Sequence, residues 1–254
     1  MDKNDIENLK ELYKTIKILR DPDGCPWDSK QTSKSLLPYL LEETHEVIEA
    51  IEEENISGIK EELGDMLLHL IFQSQIYEEK DAFNFSDIIE KIDAKLKNRH
   101  PELFGIENEN NGLSWEEKKQ NEKKRKKFLD GVPISLPALT RASRIQEKAA
   151  QVGFDWQNIG PIWDKVYEEI DELKTAISSK NEDEISEELG DVLFSIVNLS
   201  RYLNTSPESA LKKTINKFEK RFHYIECKLK EKNISLSDAS LEEMDEFWNK
   251  SKKI

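Results

Sequence analysis

The chain has 254 residues, with 38 Lys and Arg against 52 Asp and Glu, a formal charge of −14 and 35% charged residues. Its nine glycines form no GxxxxGK or GxGxxG loop to cradle a phosphate, and the acidic balance argues against a nucleic-acid binder, whose affinity comes largely from Lys and Arg neutralising phosphates. Two distant cysteines and four histidines without an HExxH pair remove a disulfide framework and a zinc spacing, no apolar run approaches ~18 residues, and no signal peptide opens the chain, so a cytoplasmic protein without a membrane partner is expected.

Glu, Lys, Leu and Ile are abundant while Val, at six residues, and Gly are scarce, a balance that favours an all-α fold. Capping signals and periodicity predict helices near 5–20, 33–54, 57–78 and 86–99, then 114–128 behind the capping box Ser114-x-x-Glu117. Further helices are expected near 137–151, 161–179, 182–203, 207–231 and 240–252. Pro161 and Pro207 suit first turns, Ser206 suits an N-cap, and Ser240-x-x-Glu243 makes another capping box. His100-Pro101 through Gly112 reads as a linker, and the basic run Lys118 to Lys127 as a solvated helix face. A second break at Asp130-Gly131-Val132-Pro133 suggests two domains, 1–128 and 129–254.

The two halves repeat. Glu61-Glu62-Leu63-Gly64-Asp65 recurs as Glu187-Glu188-Leu189-Gly190-Asp191, and the same shift of 126 residues carries Glu42, Glu43 and Glu46 onto Glu168, Glu169 and Glu172. Each half therefore reads EExxE, a gap, then EExGD. Lys95-Leu96-x-x-Arg99 resembles Lys217-Phe218-x-x-Arg221, and Trp115 and Trp248 follow, each with a lysine four residues on.

Residues three and four apart share a helix face. Glu43 falls in the apolar seam of Leu40 and Val47, Glu62 between Ile59 and Met66, Glu169 between Val166 and Leu173, and Glu188 between Ile185 and Val192. A carboxylate on a buried face costs several kcal/mol unless compensated. Divalent magnesium, which prefers oxygen ligands, is the natural compensator for such a cluster; buried salt bridges or plain solvent exposure are the alternatives. Gly64 and Gly190, each costing ~1 kcal/mol inside a helix, suggest close helix approach beside the acids.

These motifs resemble the MazG nucleoside triphosphate pyrophosphohydrolases of the all-α NTP pyrophosphatase superfamily. Gly24-Cys25-Pro26-Trp27-Asp28, Lys97-Asn98-Arg99-His100-Pro101 and Val152-Gly153-Phe154-Asp155-Trp156 resemble its two-domain bacterial form. The resemblance implies a tandem repeat of four-helix units that pair across a homodimer into helical bundles. It also implies Mg²⁺-dependent hydrolysis of NTPs and dNTPs to monophosphate and pyrophosphate with broad base tolerance, Mn²⁺ being a possible substitute. By that resemblance Glu169, Glu172, Glu188 and Asp191 hold metal, and Glu43, Glu46, Glu62 and Asp65 are the first-half equivalents. Glu168 and Glu187 become the candidates to orient or deprotonate the attacking water, while Lys165, Lys217 and Arg221 would contact phosphate and Trp248 would stack on base or sugar. By themselves Trp248 could equally be a core tryptophan, and Lys217 and Arg221 surface cations.

The second half is expected to work, because Tyr39 stands in the first half where the second has Lys165. Against this, Glu184 replaces a lysine the family often carries ahead of its second motif. Two other classes stay open: a hydrolytically silent metal-binding interaction protein, and a pyrophosphohydrolase for one related substrate such as dUTP, phosphoribosyl-ATP or an alarmone.

Overall fold

In the computed structural model, which describes residues 2–105 and 127–252, ten α-helices and one 3₁₀ turn account for the regular structure, with no strand among the described residues. The chain divides into two compact units, residues 1–112 and 113–254. No described helix is long and apolar enough to cross a membrane.

The first unit opens with α1 (Lys3–Arg20), whose Asp2 and Asp5 side chains each accept from the other's backbone N–H as a capping box. A loop with a 3₁₀ turn at Asp28–Lys30 leads to α2 (Leu37–Glu52). That helix starts four residues later than its periodicity suggests. Thr32 and Ser35 exchange hydrogen bonds between hydroxyl and backbone, at 2.9 and 3.1 Å, and this local pairing competes with helix. Asn55 caps α3 (Ile56–Glu78) by accepting from Gly58 N–H, and Asn84 and Asp87 form the box that starts α4 (Phe85–Arg99). Pro101 disfavours helical backbone at His100 and so stops α4. The expected linker instead begins with one helical turn, α5 (Pro101–Phe104), closed by Gly105 in the left-handed region at φ 63°.

Helix α2 lies along α3, and α1 packs on α3 from another side. Ile16, Leu36, Ile71, Phe72 and Ile76 form the buried core. Beside it Arg20 is buried with its guanidinium 4.8 Å over the Phe72 ring, its Nε and Nη2 each 2.7 Å from a Glu79 carboxylate oxygen.

The second unit holds α6 (Ala138–Gln151), α7 (Ile159–Ser179), α8 (Glu182–Tyr202), α9 (Pro207–Glu231) and α10 (Leu241–Ser251). Asn158 accepts from Gly160 N–H and starts α7 two residues before Pro161, and Asn181, Ser206 and Ser240 cap the helices that follow. Helix α7 lies along α8 as α2 does along α3, α6 packs on α8, and α9 packs on α10 and α6. Most of the expected helix 114–128, with Trp115 and the basic run up to residue 126, lies outside the described residues.

Candidate functional site

Helix α7 carries Glu168, Glu169 and Glu172, and α8 carries Glu187, Glu188 and Asp191. Because the two helices run side by side, Glu169, Glu172 and Glu188 each offer a carboxylate oxygen within 4.8 Å of the others. Glu169 is buried at 6% exposure, Glu188 is half-buried and Glu172 is exposed. Desolvation and then the charges of Glu169 and Glu188 raise the Glu172 carboxyl above its ordinary range; desolvation, Asp191 and Glu169 do the same to Glu188. An all-oxygen trio, two of whose members are raised by burial and by neighbouring carboxylates, is chemically suited to a hard divalent cation. Asp191 lies outside the trio and reaches it through its charge on Glu188.

One helical turn before Glu169, Lys165 Nζ stands 2.8 Å from Glu169 Oε1 and 2.9 Å from Glu168 Oε1. Glu169, and then Glu168, hold this ammonium well above its usual range. Glu168 is thus ion-paired at the surface, while Glu187 is exposed beside Glu188.

The first unit repeats the arrangement with Glu43, Glu62 and Asp65, all half-buried and with oxygens within 4.8 Å of one another. Desolvation and then Asp65 raise the Glu43 carboxyl, and desolvation and then Glu46 raise Glu62. Glu46 is exposed and joins as the hydrogen-bond partner of Glu62. Tyr39 rests edge-on against Trp27, ring centroids 5.8 Å apart, so this unit has no ammonium at the position of Lys165.

A cavity of about 350 Å³ in the second unit borders Lys165, Glu169 and Asp191. Ile145, Ala149 and Ile162 form apolar wall, and Phe154, Trp156 and Phe194 add aromatic surface. Two buried amides line it. Gln146 Nε2 donates to the Phe194 carbonyl at 2.9 Å, while its Oε1 has no partner. Asn198 Oδ1 accepts from Arg201 Nε at 3.2 Å and Nη2 at 2.8 Å. The same guanidinium grips Asp155, Nη1 lying 3.0 Å from Oδ2, and holds that carboxyl below its ordinary range. Of these residues the sequence flagged Lys165, Glu169, Asp191 and the motif stretch 152–156; Gln146 and Asn198 are unmarked there.

The sequence profile of the MazG nucleotide pyrophosphohydrolase domain matches residues 31–104 and 159–225, more than half of the chain and each motif once. The chain belongs to the MazG family. It is 46% identical over 246 residues to the nucleoside triphosphate pyrophosphohydrolase/pyrophosphatase MazG of Thermotoga maritima, covering 96% of this chain and 95% of that one. It is 42% identical over 258 residues to the nucleoside triphosphate pyrophosphohydrolase of Escherichia coli K12, covering 98% of both. An uncharacterized Bacillus subtilis protein, YabN, is 44% identical over 245 residues, 94% of this chain and 50% of the relative.

The other candidate substrate-binding residues sit apart from the cavity. Lys217 and Arg221 lie on α9 and Trp248 on α10, and none of them lines it. Trp248 is half-buried against the core of Ile225, Leu229 and Phe247, its ring centroid 5.2 Å from that of Phe218 and 5.5 Å from Arg221 Cζ. Lys217 is exposed.

The two MazG-motif glycines correct the expectation of close helix approach. Gly64 and Gly190 are exposed, and a Cβ added at either would meet nothing within 4 Å. The helices meet through the faces that carry the acids and leave both glycines on an open side, so packing within a unit does not explain them.

Proposed function

We propose that this chain is a Mg²⁺-dependent pyrophosphohydrolase that cleaves NTPs and dNTPs to the monophosphate and pyrophosphate, with broad base tolerance, from its second half. The observation that carries the reading is the convergence of Glu169, Glu172 and Glu188 from two helices, in a chain whose full-length relatives bear that activity in their names.

In this reading Glu169, Glu172, Glu188 and Asp191 hold the metal. The donor set suits magnesium, with manganese a workable substitute, because every donor is a carboxylate oxygen. Bound magnesium supplies a lowered water pKa and neutralises the charge of the leaving pyrophosphate. Glu168 and Glu187, beside the ligands, orient the attacking water and take its proton. Lys165 turns from Glu169 to a phosphate oxygen, a charge-assisted hydrogen bond replacing an ion pair. Lys217 and Arg221 take further phosphate oxygens, and Trp248 covers the sugar or base. Glu43, Glu46, Glu62 and Asp65 form a second cation site whose part is structural or regulatory.

A homodimer accords with the apolar surface left open on both helix pairs. Leu41 and Ile51 on α2, Leu63 and Leu70 on α3, and Leu193 on α8 are each more than half exposed, and a second copy would cover them. Both cysteines are free thiols, as suits a cytoplasmic housekeeper of the nucleotide pool.

The deciding experiment is hydrolysis of the eight common NTPs and dNTPs with product identification, under Mg²⁺, Mn²⁺ and chelator. Equimolar monophosphate and pyrophosphate, lost with chelator, are expected. No release would favour a silent interaction protein, and turnover of one base alone a specialised enzyme.

A further inference from the structure

His69 on α3 is more than nine-tenths buried, and its Nδ1 has no hydrogen-bond partner. We infer that the first-unit acid cluster is a mixed nitrogen and oxygen site, in which His69 joins Glu43, Glu62 and Asp65 to hold a divalent first-row transition-metal ion. This rests on the reading of those acids as a second cation site, deepens it, and gives the two halves different metals.

Position carries the first part of the argument. Glu62, Asp65, His69 and Gln73 follow one another at three- and four-residue steps, a single row along α3. Helical side chains lean toward the N-terminus of their own helix, so the His69 ring leans back over Asp65, at the cluster end of the row. Asp65 is near enough for its charge to act on the imidazole. At the other end Gln73 is bound to the loop ahead of α2, accepting from the Ser33 hydroxyl and donating to the Ser33 carbonyl. The three carboxylates offer oxygens within 4.8 Å of one another; the imidazole stands outside that set, and a turn about its side-chain bonds brings a ring nitrogen to the ion.

Chemistry carries the second. A buried polar atom without a partner forfeits the hydrogen bond that water gave it, and native structures leave few of them. Burial pushes the imidazole below its usual range, so the ring is neutral and keeps a lone pair on one nitrogen. Neutral imidazole is a ligand for iron, cobalt, nickel and zinc, whereas magnesium takes oxygen. Carboxylates alone would suit magnesium; the nitrogen beside them shifts the preference.

The second unit lacks this nitrogen. The 126-residue shift that carries Glu62 and Asp65 onto Glu188 and Asp191 carries His69 onto Ser195. Ser195 is buried too, but its hydroxyl donates to the Val192 carbonyl at 2.9 Å within its own helix. The second-unit trio thus has Lys165 beside it and no imidazole one turn after Asp191. The first has His69 one turn after Asp65, and Tyr39 in place of the competing ammonium.

The test is calorimetric titration of the full chain with Co²⁺ and with Mg²⁺, one cluster silenced at a time. Glu188→Gln leaves the first cluster to be measured, and Glu62→Gln the second. The preference for Co²⁺ over Mg²⁺ is expected to be about tenfold or more greater at the first cluster. His69→Gln, added to Glu188→Gln, is expected to weaken Co²⁺ binding about tenfold and to leave Mg²⁺ binding within about twofold. Co²⁺ affinity unmoved by His69→Gln would overturn the inference. If that variant fails to fold, the electron spin-echo spectrum of Mn²⁺ in the Glu188→Gln chain decides: nitrogen modulation from a coordinated imidazole is expected, and its absence would overturn the inference. Uptake of neither Co²⁺ nor Mg²⁺ by Glu188→Gln protein would overturn the second cation site and this inference with it, while pyrophosphate release by the wild type tests the pyrophosphohydrolase reading separately.

Discussion

Lys165 Nζ lies 2.8 Å from Oε1 of Glu169, the buried member of the acid trio. In the proposed reading a divalent ion competes with this ammonium for the same oxygen. Lys165→Met is therefore expected to tighten Mg²⁺ binding to the nucleotide-free protein about twofold to tenfold while raising the KM for NTP by about tenfold. Calorimetry with Mg²⁺ alone and steady-state kinetics check the two halves of this prediction, and unchanged KM would remove Lys165 from the phosphates.

The two units differ in what stands beside otherwise matching acids, Lys165 in one and Tyr39 in the other. Glu172→Gln is expected to lower turnover at least ~100-fold, and Glu46→Gln to leave most of it, in a pyrophosphate-release assay. The reverse ranking would place catalysis in the first unit.

Acidity acts on the metal-free acids with a definite sign. Glu172 and Glu188 are raised in the folded state by burial and by their neighbours. A carboxyl raised on folding binds its proton more tightly folded than unfolded, so its cost to stability is relieved as pH falls through the folded value toward the unfolded one near ~4.3. Asp155, held low by Arg201, contributes stability that is lost only as pH falls below the unfolded aspartate value. His69, lowered by burial, opposes the trend from above. The difference in melting temperature between wild type and Glu188→Gln, with chelator, is therefore expected to be largest near pH 7 and to shrink toward pH 5. Saturating Mg²⁺ should remove the pH dependence of the wild-type term.

Arg20 joins α1 to α3 and to the following loop, through Glu79, the Phe72 ring and the backbone carbonyls of Asp28 and Gln31. Arg20→Ala leaves those carbonyls and part of the Glu79 charge unpaired and is expected to cost about 3 kcal/mol in urea unfolding. Lysine at this position is expected to recover less than half, because it cannot make the forked contact and cover the ring together.

Much of this was legible in residue order. The seam positions of Glu169 and Glu43 follow from a 3.6-residue period, and the caps at Ser206 and Ser240 announce their helices through short polar side chains. The delayed start of α2 was not, because Thr32 and Ser35 bond to each other rather than to a helix turn. Gly64 and Gly190 misled for a related reason: a small residue signals that something comes near, not which body it belongs to. The cavity was the least visible feature. Gln146, Trp156 and Asn198 come from α6, a loop and α8, and only tertiary packing brings their side chains to one hollow.

Phe72 and Asn198 hold equivalent places in the duplicated motif, one a ring packed in a core and the other an amide bordering open space. One motif therefore serves dense packing in the N-terminal copy and an accessible polar wall in the C-terminal copy.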